Sequence, residues 1–235
     1  MCEITIKLKC AHCSSLKVSK NGKKPNGRQN LLCKECGKQF QANYQYAGAD
    51  PCNKSLIRIM LLRNCGIRDI ETIVGVSRYS VLSCLQRHAK QISHSPGHIY
   101  YPSLQIDEFW TYVGKRKEGK IWLLYTYSPE YDEIVAYVTG DRSAKTVGKL
   151  YGKLAEIEVG EFCTDEWQAF QKVLPAHKHR IGKEYTKHIE GVNTSFRARN
   201  RRLVRQTTCF SKNEENHLSA ISLMINHRNQ THHTF

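Results

Sequence analysis

The sequence predicts a multi-domain α/β protein, and three features of the chain indicate this fold class. Two Cys-x-x-Cys pairs lie near the N-terminus, apolar residues then recur with helical spacing, and strand patterns followed by helices fill the second half. With 235 residues, the chain is long enough for several units that each bury a hydrophobic core. We predict a zinc ribbon, a helix-turn-helix domain, a linker and a C-terminal α/β domain, with boundaries at 1–47, 53–92, 93–102 and 103–235.

The charge of the chain indicates a polyanionic partner. Lys and Arg number 36 against 21 Asp and Glu, which gives a net charge of +15. Residues 1–93 carry +11, residues 94–166 carry −4 and residues 167–235 carry +8. Nucleic acid is the usual partner of so basic a protein, and an acidic middle segment suggests a carboxylate site between two polyanion-binding parts. Chance variation among solvated faces is the alternative for that middle segment.

The apolar pattern argues against membrane insertion and secretion. No apolar run approaches the roughly 18 residues of a membrane span, and the N-terminus lacks the apolar region of a signal peptide. We therefore expect a cytoplasmic protein that associates with the nucleoid and makes no membrane contact.

The N-terminal cysteines predict a metal site. Cys10 and Cys13 are separated from Cys33 and Cys36 by 19 residues, and two such pairs suit four thiolates around one Zn²⁺. Asn-Gly turns at 21–22 and 26–27 favour a hairpin between the pairs. A segment this short cannot build a sufficient core alone, so zinc is expected to supply much of its folding free energy. Four unrelated buried cysteines are the alternative, and the remaining six, which we interpret as ordinary core or surface residues, are Cys2, Cys52, Cys65, Cys84, Cys163 and Cys209.

The segment from 53 to 92 predicts three short helices. Gly66 and Gly75 interrupt the helical pattern, and Ser77 stands where a helix N-cap is expected. A short helix, a turn and a polar helix form the helix-turn-helix pattern, whose last helix enters the major groove. Small helical bundles of other purpose give the same pattern. The residues predicted to read base edges are those at the start of the third helix: Arg78, Tyr79 and Ser80.

Strands precede helices in the C-terminal part. The first three predicted strands are separated by short turns, which favours an antiparallel meander, and later strands alternate with helices as in an α/β sheet. The predicted strands are 104–113, 121–127, 134–138, 161–164 and 179–181. The predicted helices are 144–157, 167–174, 184–206 and 214–229.

Three acidic residues stand out by their positions in this pattern. Asp107 lies among apolar residues of the first strand, Asp165 ends a later strand, and Glu190 lies on a predicted helix. Strand ends and a nearby helix could bring the three carboxylates to one sheet edge, where they would suit Mg²⁺ or Mn²⁺. For each acid alone, a solvated surface charge is the alternative. Asp107 fits that alternative least, because a charge inside an apolar strand needs a compensating partner.

Three ordered motifs resemble those of the insertion sequence 1 family of transposases. The run DEFWTYVGK at 107–115, followed by WLLY at 122–125, resembles the start of the family's catalytic part. The runs TDEW at 164–167 and YTKHIEGVN at 185–193 match its second and third acidic motifs, and CFSK at 209–212 matches a downstream block. The Cys-x-x-Cys pairs and the helix-turn-helix pattern resemble its DNA-binding part. One departure is Gly191-Val192, where some relatives have a basic residue and a histidine.

This resemblance implies a ribonuclease H-like catalytic core with the acidic triad Asp107, Asp165 and Glu190. It also implies Mg²⁺-dependent cleavage and strand transfer at the ends of a mobile DNA element. Holding two element ends together favours a homo-oligomer bound to double-stranded DNA, both the ends and the target. A zinc-dependent DNA-binding regulator whose C-terminal domain only dimerises is the alternative from another class, and a nuclease that cleaves without transfer is a third.

The helix that carries Glu190 predicts a DNA-facing side. Steps of three or four residues stay on one helical face, and from Glu190 they reach Asn193, Arg197 and Arg201. The two arginines would offset phosphate charge beside the third carboxylate. A solvated basic helix is the alternative. The same helical spacing places the neighbouring arginines on other faces of this predicted helix: Arg199, Arg202 and Arg205.

Overall fold

The computed structural model describes residues 8–42, 46–114, 119–204 and 209–231. Cys2 and Arg205, both named above, lie outside the described residues, as do Lys115 of the first motif and the last residues of the predicted 184–206 helix. The chain divides into two compact units. The first holds residues 1–61 and 65–84, and the second holds residues 62–64 and 85–235.

The first unit begins with a small antiparallel sheet. Its strands are β1 (Val18–Lys23), β2 (Gln29–Cys33) and β3 (Gln39–Gln41), in that spatial order. The β1–β2 turn contains Gly27 at φ +76°, a left-handed conformation that glycine adopts without strain. Two apolar side chains, Leu31 and Phe40, pack with Cys10 and Cys33 in a small core. Because so few apolar residues pack together, the folding of this sheet requires stabilisation beyond its own core, such as a bound metal.

Three helices follow, as the sequence predicts. They are α1 (Pro51–Leu62), α2 (Ile67–Val74) and α3 (Arg78–Lys90). Gly75 ends α2 in the left-handed conformation, at φ +68°. Ser77 caps α3, because its hydroxyl accepts the backbone N–H of Ser80 at 3.3 Å. The predicted cap is therefore confirmed.

The second unit contains a mixed five-stranded sheet. Its strands are β4 (Tyr100–Tyr112), β5 (Lys120–Ser128), β6 (Glu133–Gly140), β7 (Glu158–Thr164) and β8 (His179–Ile181). Their spatial order is β6-β5-β4-β7-β8. The first three strands pair antiparallel, which confirms the predicted meander, whereas β7 and β8 run parallel to β4.

Helices cover both faces of this sheet. They are α4 (Ala144–Gly152), α5 (Gln168–Val173), α6 (Lys187–Arg199) and α7 (Glu214–Thr231). One core cluster joins Leu124 of the sheet to Val147 of α4 and Phe170 of α5. The other joins Phe109 of the sheet to residues of α6 and α7. The second unit is therefore an α/β structure with a sheet between two helical layers. In the described part of the chain, we find no helix with the length and apolarity that crossing a bilayer requires.

Three predicted element boundaries are wrong. Strand β4 begins at Tyr100, inside the predicted 93–102 linker, because Tyr101 is fully buried and pairs with Val159 of β7. Helix α4 ends at Gly152 rather than at 157. The predicted 184–206 helix is interrupted, because Asn200 is extended and its side chain accepts the backbone N–H of Arg202 at 3.1 Å. Residues 201–203 then form a 3₁₀ turn.

Candidate functional site

Strand register places the first two predicted acids side by side. Strands β4 and β7 are parallel neighbours, and their last recorded pair joins Gln105 to Cys163. Asp107 and Asp165 each lie two residues beyond that pair, Asp107 within β4 and Asp165 directly after the end of β7. The backbone N–H of Trp167 donates to Asp165 Oδ1 at 3.0 Å, which fixes the carboxylate at the start of the following helix. Two acids distant in sequence thus lie side by side where β7 ends next to β4.

Helix α6 brings the third acid to the same strand. Gln105 accepts the backbone N–H of Ile189 at 2.8 Å, which ties the first turn of α6 to β4. Asn193 Nδ2 donates to Asp107 Oδ2 at 2.6 Å, and the Tyr125 hydroxyl donates to Asn193 Oδ1 at 2.9 Å. Glu190 lies between these two attachment points on α6. Asn193 therefore lies beside Asp107, but buried and with both ends of its amide bonded inside the protein, not on the predicted DNA-facing side.

The electrostatics of Asp107 show that the three carboxylates interact. Burial, together with the negative charges of Asp165 and Glu190, raises the pKa of Asp107 to about 6, against the lowering effect of hydrogen bonds from the Glu108 N–H and Asn193. The oxygens of these three carboxylates do not all lie within 4.8 Å of one another, whereas the four sulfur atoms of the first unit do. A divalent cation would relieve this repulsion, and hard oxygen donors are the ligands that Mg²⁺ and Mn²⁺ prefer. The donor set therefore fits such a metal.

The basic residues of α6 occupy different surroundings. The guanidinium carbon of Arg197 lies 5.3 Å from the centroid of the Phe109 ring, on the side of the sheet that α6 covers. Arg201 lies beyond the end of α6, on the 3₁₀ turn, and is exposed. The predicted helical phase of Arg201 is therefore wrong, because the helix stops at Arg199. Of these two arginines, Arg197 alone packs against β4, the strand that carries Asp107.

Sequence reasoning missed two polar residues that position this site. Gln105 is a buried polar residue on β4, and its Nε2 lies 3.4 Å from His188 Nδ1 of α6. The side chain of Glu108 is buried on the opposite face of the strand from Asp107 and binds Arg142. A polar residue two positions before Asp107 in an apolar strand was the available signal for Gln105.

The four predicted zinc ligands come together in the first unit. Their sulfur atoms all lie within 4.8 Å of one another. Cys10 Sγ is 3.7 Å from Cys36 Sγ, and Cys13 Sγ is 3.6 Å from Cys33 Sγ. Four sulfurs at about 2.3 Å from a tetrahedral zinc are about 3.8 Å apart, so the geometry fits Zn²⁺. Backbone N–H groups of Cys36 and Glu35 lower the pKa of Cys33 to about 6, which favours the ligating thiolate.

The start of α3 presents the predicted base-reading residues in three different settings. Arg78 Nε pairs with Glu71 of α2 at 3.1 Å, and Tyr79 is 80% exposed. The Ser80 hydroxyl binds Ser77 at 3.0 Å and also the hydroxyl of Tyr46. Tyr79 thus offers the most accessible side chain of the three, whereas Arg78 and Ser80 have partners within the unit.

Comparisons with known proteins find the following similarities. The family model described as IS1 transposase matches residues 103–231. The iso-IS1n protein InsB of Shigella dysenteriae is 35% identical over 121 residues, which cover 52% of this chain and 92% of that protein. The IS1 2 protein InsB of Escherichia coli K12 is 34% identical over 131 residues, covering 56% and 78%. A simian T-cell lymphotropic virus intasome structure, in complex with the PP2A regulatory subunit B56 gamma, shows 16% identity and a TM-score of 0.33. The match covers 72% of this chain and 64% of that one.

Proposed function

The chain belongs to the IS1 transposase family, and we propose that it binds the terminal inverted repeats of an insertion element and catalyses metal-dependent DNA strand cleavage and transfer. The observation that most supports this proposal is that Asp165, directly after β7, lies beside Asp107 of β4, and that the charges of Asp165 and Glu190 both raise the pKa of Asp107. The order β6-β5-β4-β7-β8, with an antiparallel meander and two parallel strands, supports a ribonuclease H-like core. Three carboxylates grouped where β7 ends beside β4 suit phosphodiester chemistry.

Each residue of the site has a distinct proposed role. Asp107, Asp165 and Glu190 hold the catalytic Mg²⁺ or Mn²⁺, which, when bound, activates the attacking oxygen and stabilises the leaving oxygen. Asn193 orients Asp107 through its amide hydrogen bond, and Tyr125 holds that amide. Water and then a DNA 3′-hydroxyl serve as successive nucleophiles, so no covalent protein intermediate is required.

The first unit supplies the proposed DNA recognition. Zinc held by Cys10, Cys13, Cys33 and Cys36 stabilises a ribbon, and α1 to α3 form a helix-turn-helix. The start of α3 would enter the major groove, where Arg78, Tyr79 and Ser80 meet base edges. A homo-oligomer would hold two element ends together, and the protein would associate with the nucleoid.

Base reading by α3 gives a first prediction. Arg78→Ala is expected to weaken specific end binding by about 1–3 kcal/mol if the guanidinium pairs with a guanine. Binding to random DNA of equal length should change much less, because phosphate contacts do not depend on sequence. Competition binding on the two DNAs measures both effects. Arg58→Ala, which alters an exposed arginine of α1, is the matched control. Equal losses on both DNAs would make Arg78 a backbone contact.

The stacked arginine of α6 gives a second prediction. Arg197→Ala is expected to lower cleavage about tenfold or more, because a cation near the carboxylates offsets phosphate charge. End binding should persist, since the first unit provides it. Arg199→Ala, two residues away on the exposed side of α6, is the control and should cleave normally. Normal cleavage by Arg197→Ala together with loss in Arg199→Ala would contradict the assignment.

The experiment that tests the proposed function uses supercoiled DNA that carries the element ends. The protein should nick this DNA at the ends in Mg²⁺ and leave it intact in EDTA. A regulator with a non-catalytic C-terminal domain would bind the ends and leave the DNA supercoiled in both conditions. That second outcome would overturn the catalytic assignment.

A further inference from the structure

The three tryptophans of the chain alternate with two cations in the second unit. Lys120 Nζ lies 4.9 Å from the Trp110 ring centroid and 4.7 Å from the Trp122 centroid. The guanidinium carbon of Arg142 lies 5.2 Å from the Trp122 centroid and 4.7 Å from the Trp167 centroid. We call these five residues, in the spatial order Trp110, Lys120, Trp122, Arg142 and Trp167, the Trp–cation ladder.

Strand pairing explains how the ladder forms. Trp110 of β4 lies directly opposite Trp122 of β5, so the two indoles share one face of the sheet. Lys120 precedes Trp122 by two residues and therefore lies on the same face. Trp122 also pairs with Gly140 of β6, and Arg142 follows that strand by two residues. The ladder is therefore a product of sheet register, not of sequence proximity.

A buried carboxylate holds Arg142 in place. Glu108 is on the same face of β4 as Trp110, and its side chain is 5% exposed. Its Oε1 accepts Arg142 Nε at 2.9 Å and Nη2 at 2.8 Å. The guanidinium is thus fixed by one carboxylate and two indole rings, although 44% of the Arg142 side chain stays exposed. An arginine ordered in this way loses little entropy when it binds an anion.

The ladder adjoins the carboxylate site at its Trp167 end. Trp167 lies two residues after Asp165 and donates its backbone N–H to that carboxylate. Trp110, at the other end of the ladder, lies three residues after Asp107 on β4 but on the opposite face of that strand. A DNA strand with its phosphate at the carboxylates would therefore reach the ladder at Trp167, through its neighbouring nucleotides.

We propose that the Trp–cation ladder binds a single-stranded stretch of DNA beside the carboxylate site, with bases on the indoles and phosphates at Lys120 and Arg142. This inference rests on the proposed function. The rings are half-buried and the two cations that lie over them are exposed. Because the Lys120 side chain is flexible, an arriving base can take its place on the Trp110 and Trp122 rings while the ammonium turns to the adjoining phosphate, which combines stacking and phosphate contacts as in other single-strand-binding proteins. Duplex DNA hides its base faces in the helical stack, so it cannot make the same contacts.

The chain offers its own probe for this proposal. Because all three tryptophans belong to the ladder, the intrinsic tryptophan fluorescence of the full-length protein reports on the ladder alone. We expect a thymidine 12-mer, added without divalent metal, to quench this emission to saturation. A 12-base-pair blunt duplex should leave the emission nearly unchanged even where fluorescence anisotropy of a labelled duplex shows binding.

Two substitutions and a matched control sharpen the test. Lys120→Ala is expected to raise the Kd for quenching by the 12-mer about tenfold and to reduce the salt slope by about 0.7, because one DNA phosphate is no longer neutralised. Trp110→Ala should raise the same Kd by a similar factor. The control is Lys153→Ala, because Lys153 Nζ also lies over an aromatic ring, that of Tyr137 at 5.4 Å, but stands outside the ladder. It should bind like the wild type.

Two results would overturn the proposal. One is an unchanged tryptophan emission on addition of the 12-mer, whether anisotropy shows that the 12-mer binds elsewhere or shows that it does not bind at all. The other is an equal effect of Lys120→Ala and Lys153→Ala on the quenching Kd. Neither result depends on DNA cleavage, which is measured separately on supercoiled DNA. Failure of the ladder and failure of the transposase function are therefore distinguishable.

Discussion

Asp107→Asn is expected to lower DNA cleavage at the element ends about a thousandfold or more while end binding stays nearly unchanged. A bound metal contributes several kcal/mol of transition-state stabilisation, and the amide removes one anionic ligand from its site. Asp165→Asn and Glu190→Gln should have the same effect. Quantitative gel assays of nicking and of end binding, run on the same protein preparations, measure the two properties separately.

The stability of the Asp107 variant separates a chemical defect from a structural one. Burial and the neighbouring carboxylates raise the pKa of Asp107, so its ionised form is unfavourable in the folded metal-free protein. The neutral amide should therefore not lower the melting temperature without metal. The control is Glu166→Gln, which neutralises the exposed carboxylate beside Asp165 and should cleave normally. Near wild-type cleavage by any one of the three triad variants would remove that residue from the site.

Cys33→Ser is expected to abolish zinc binding and to unfold the small sheet of the first unit. Zinc in such sites supplies much of the folding free energy, and the sheet buries few apolar side chains of its own. Bound zinc should fall from about one ion per chain to nearly none. Specific end binding should disappear with it, whereas the fold of the second unit should persist. Metal analysis, DNA binding and circular dichroism measure these three outcomes.

The exposed cysteine of α1 provides the matched control for the zinc site. Cys52→Ser should keep both zinc and end binding, because Cys52 lies outside the four-sulfur cluster. Unchanged zinc stoichiometry in Cys33→Ser, or equal loss in both variants, would contradict the four-cysteine site.

Local patterns in the sequence were sufficient to predict the four-cysteine cluster and the short helices. Cysteine spacing predicts a four-thiol cluster, and the structure brings those four sulfurs together. Ser77 caps α3 as predicted, because capping depends only on residues within one turn. Asp107 and Asp165 were recognisable because each stands out against a strand pattern. The assignment of Glu190 to the same acidic triad depended on the family resemblance.

Features that depend on distant contacts could not be predicted from the sequence. The end of α6 is set by Asn200, whose buried amide lies 3.5 Å from Met224 Sδ of α7. Strand β4 begins at Tyr100 because β7, more than fifty residues later, pairs with that segment. The Trp–cation ladder likewise requires the β4–β5 register, which no local pattern specifies. Each of these features is tertiary in origin.

Recovery of joined DNA is the most direct test of the central claim, that this chain transfers strands as well as cleaving them. The purified protein is incubated with Mg²⁺, a linear DNA that carries the element ends and a supercoiled target, and the products are sequenced across junctions. We expect junctions that join the 3′ ends of the element to target DNA, present with the wild type and absent with Asp107→Asn. Cleaved ends without any junctions would contradict the claim and identify the protein as a nuclease.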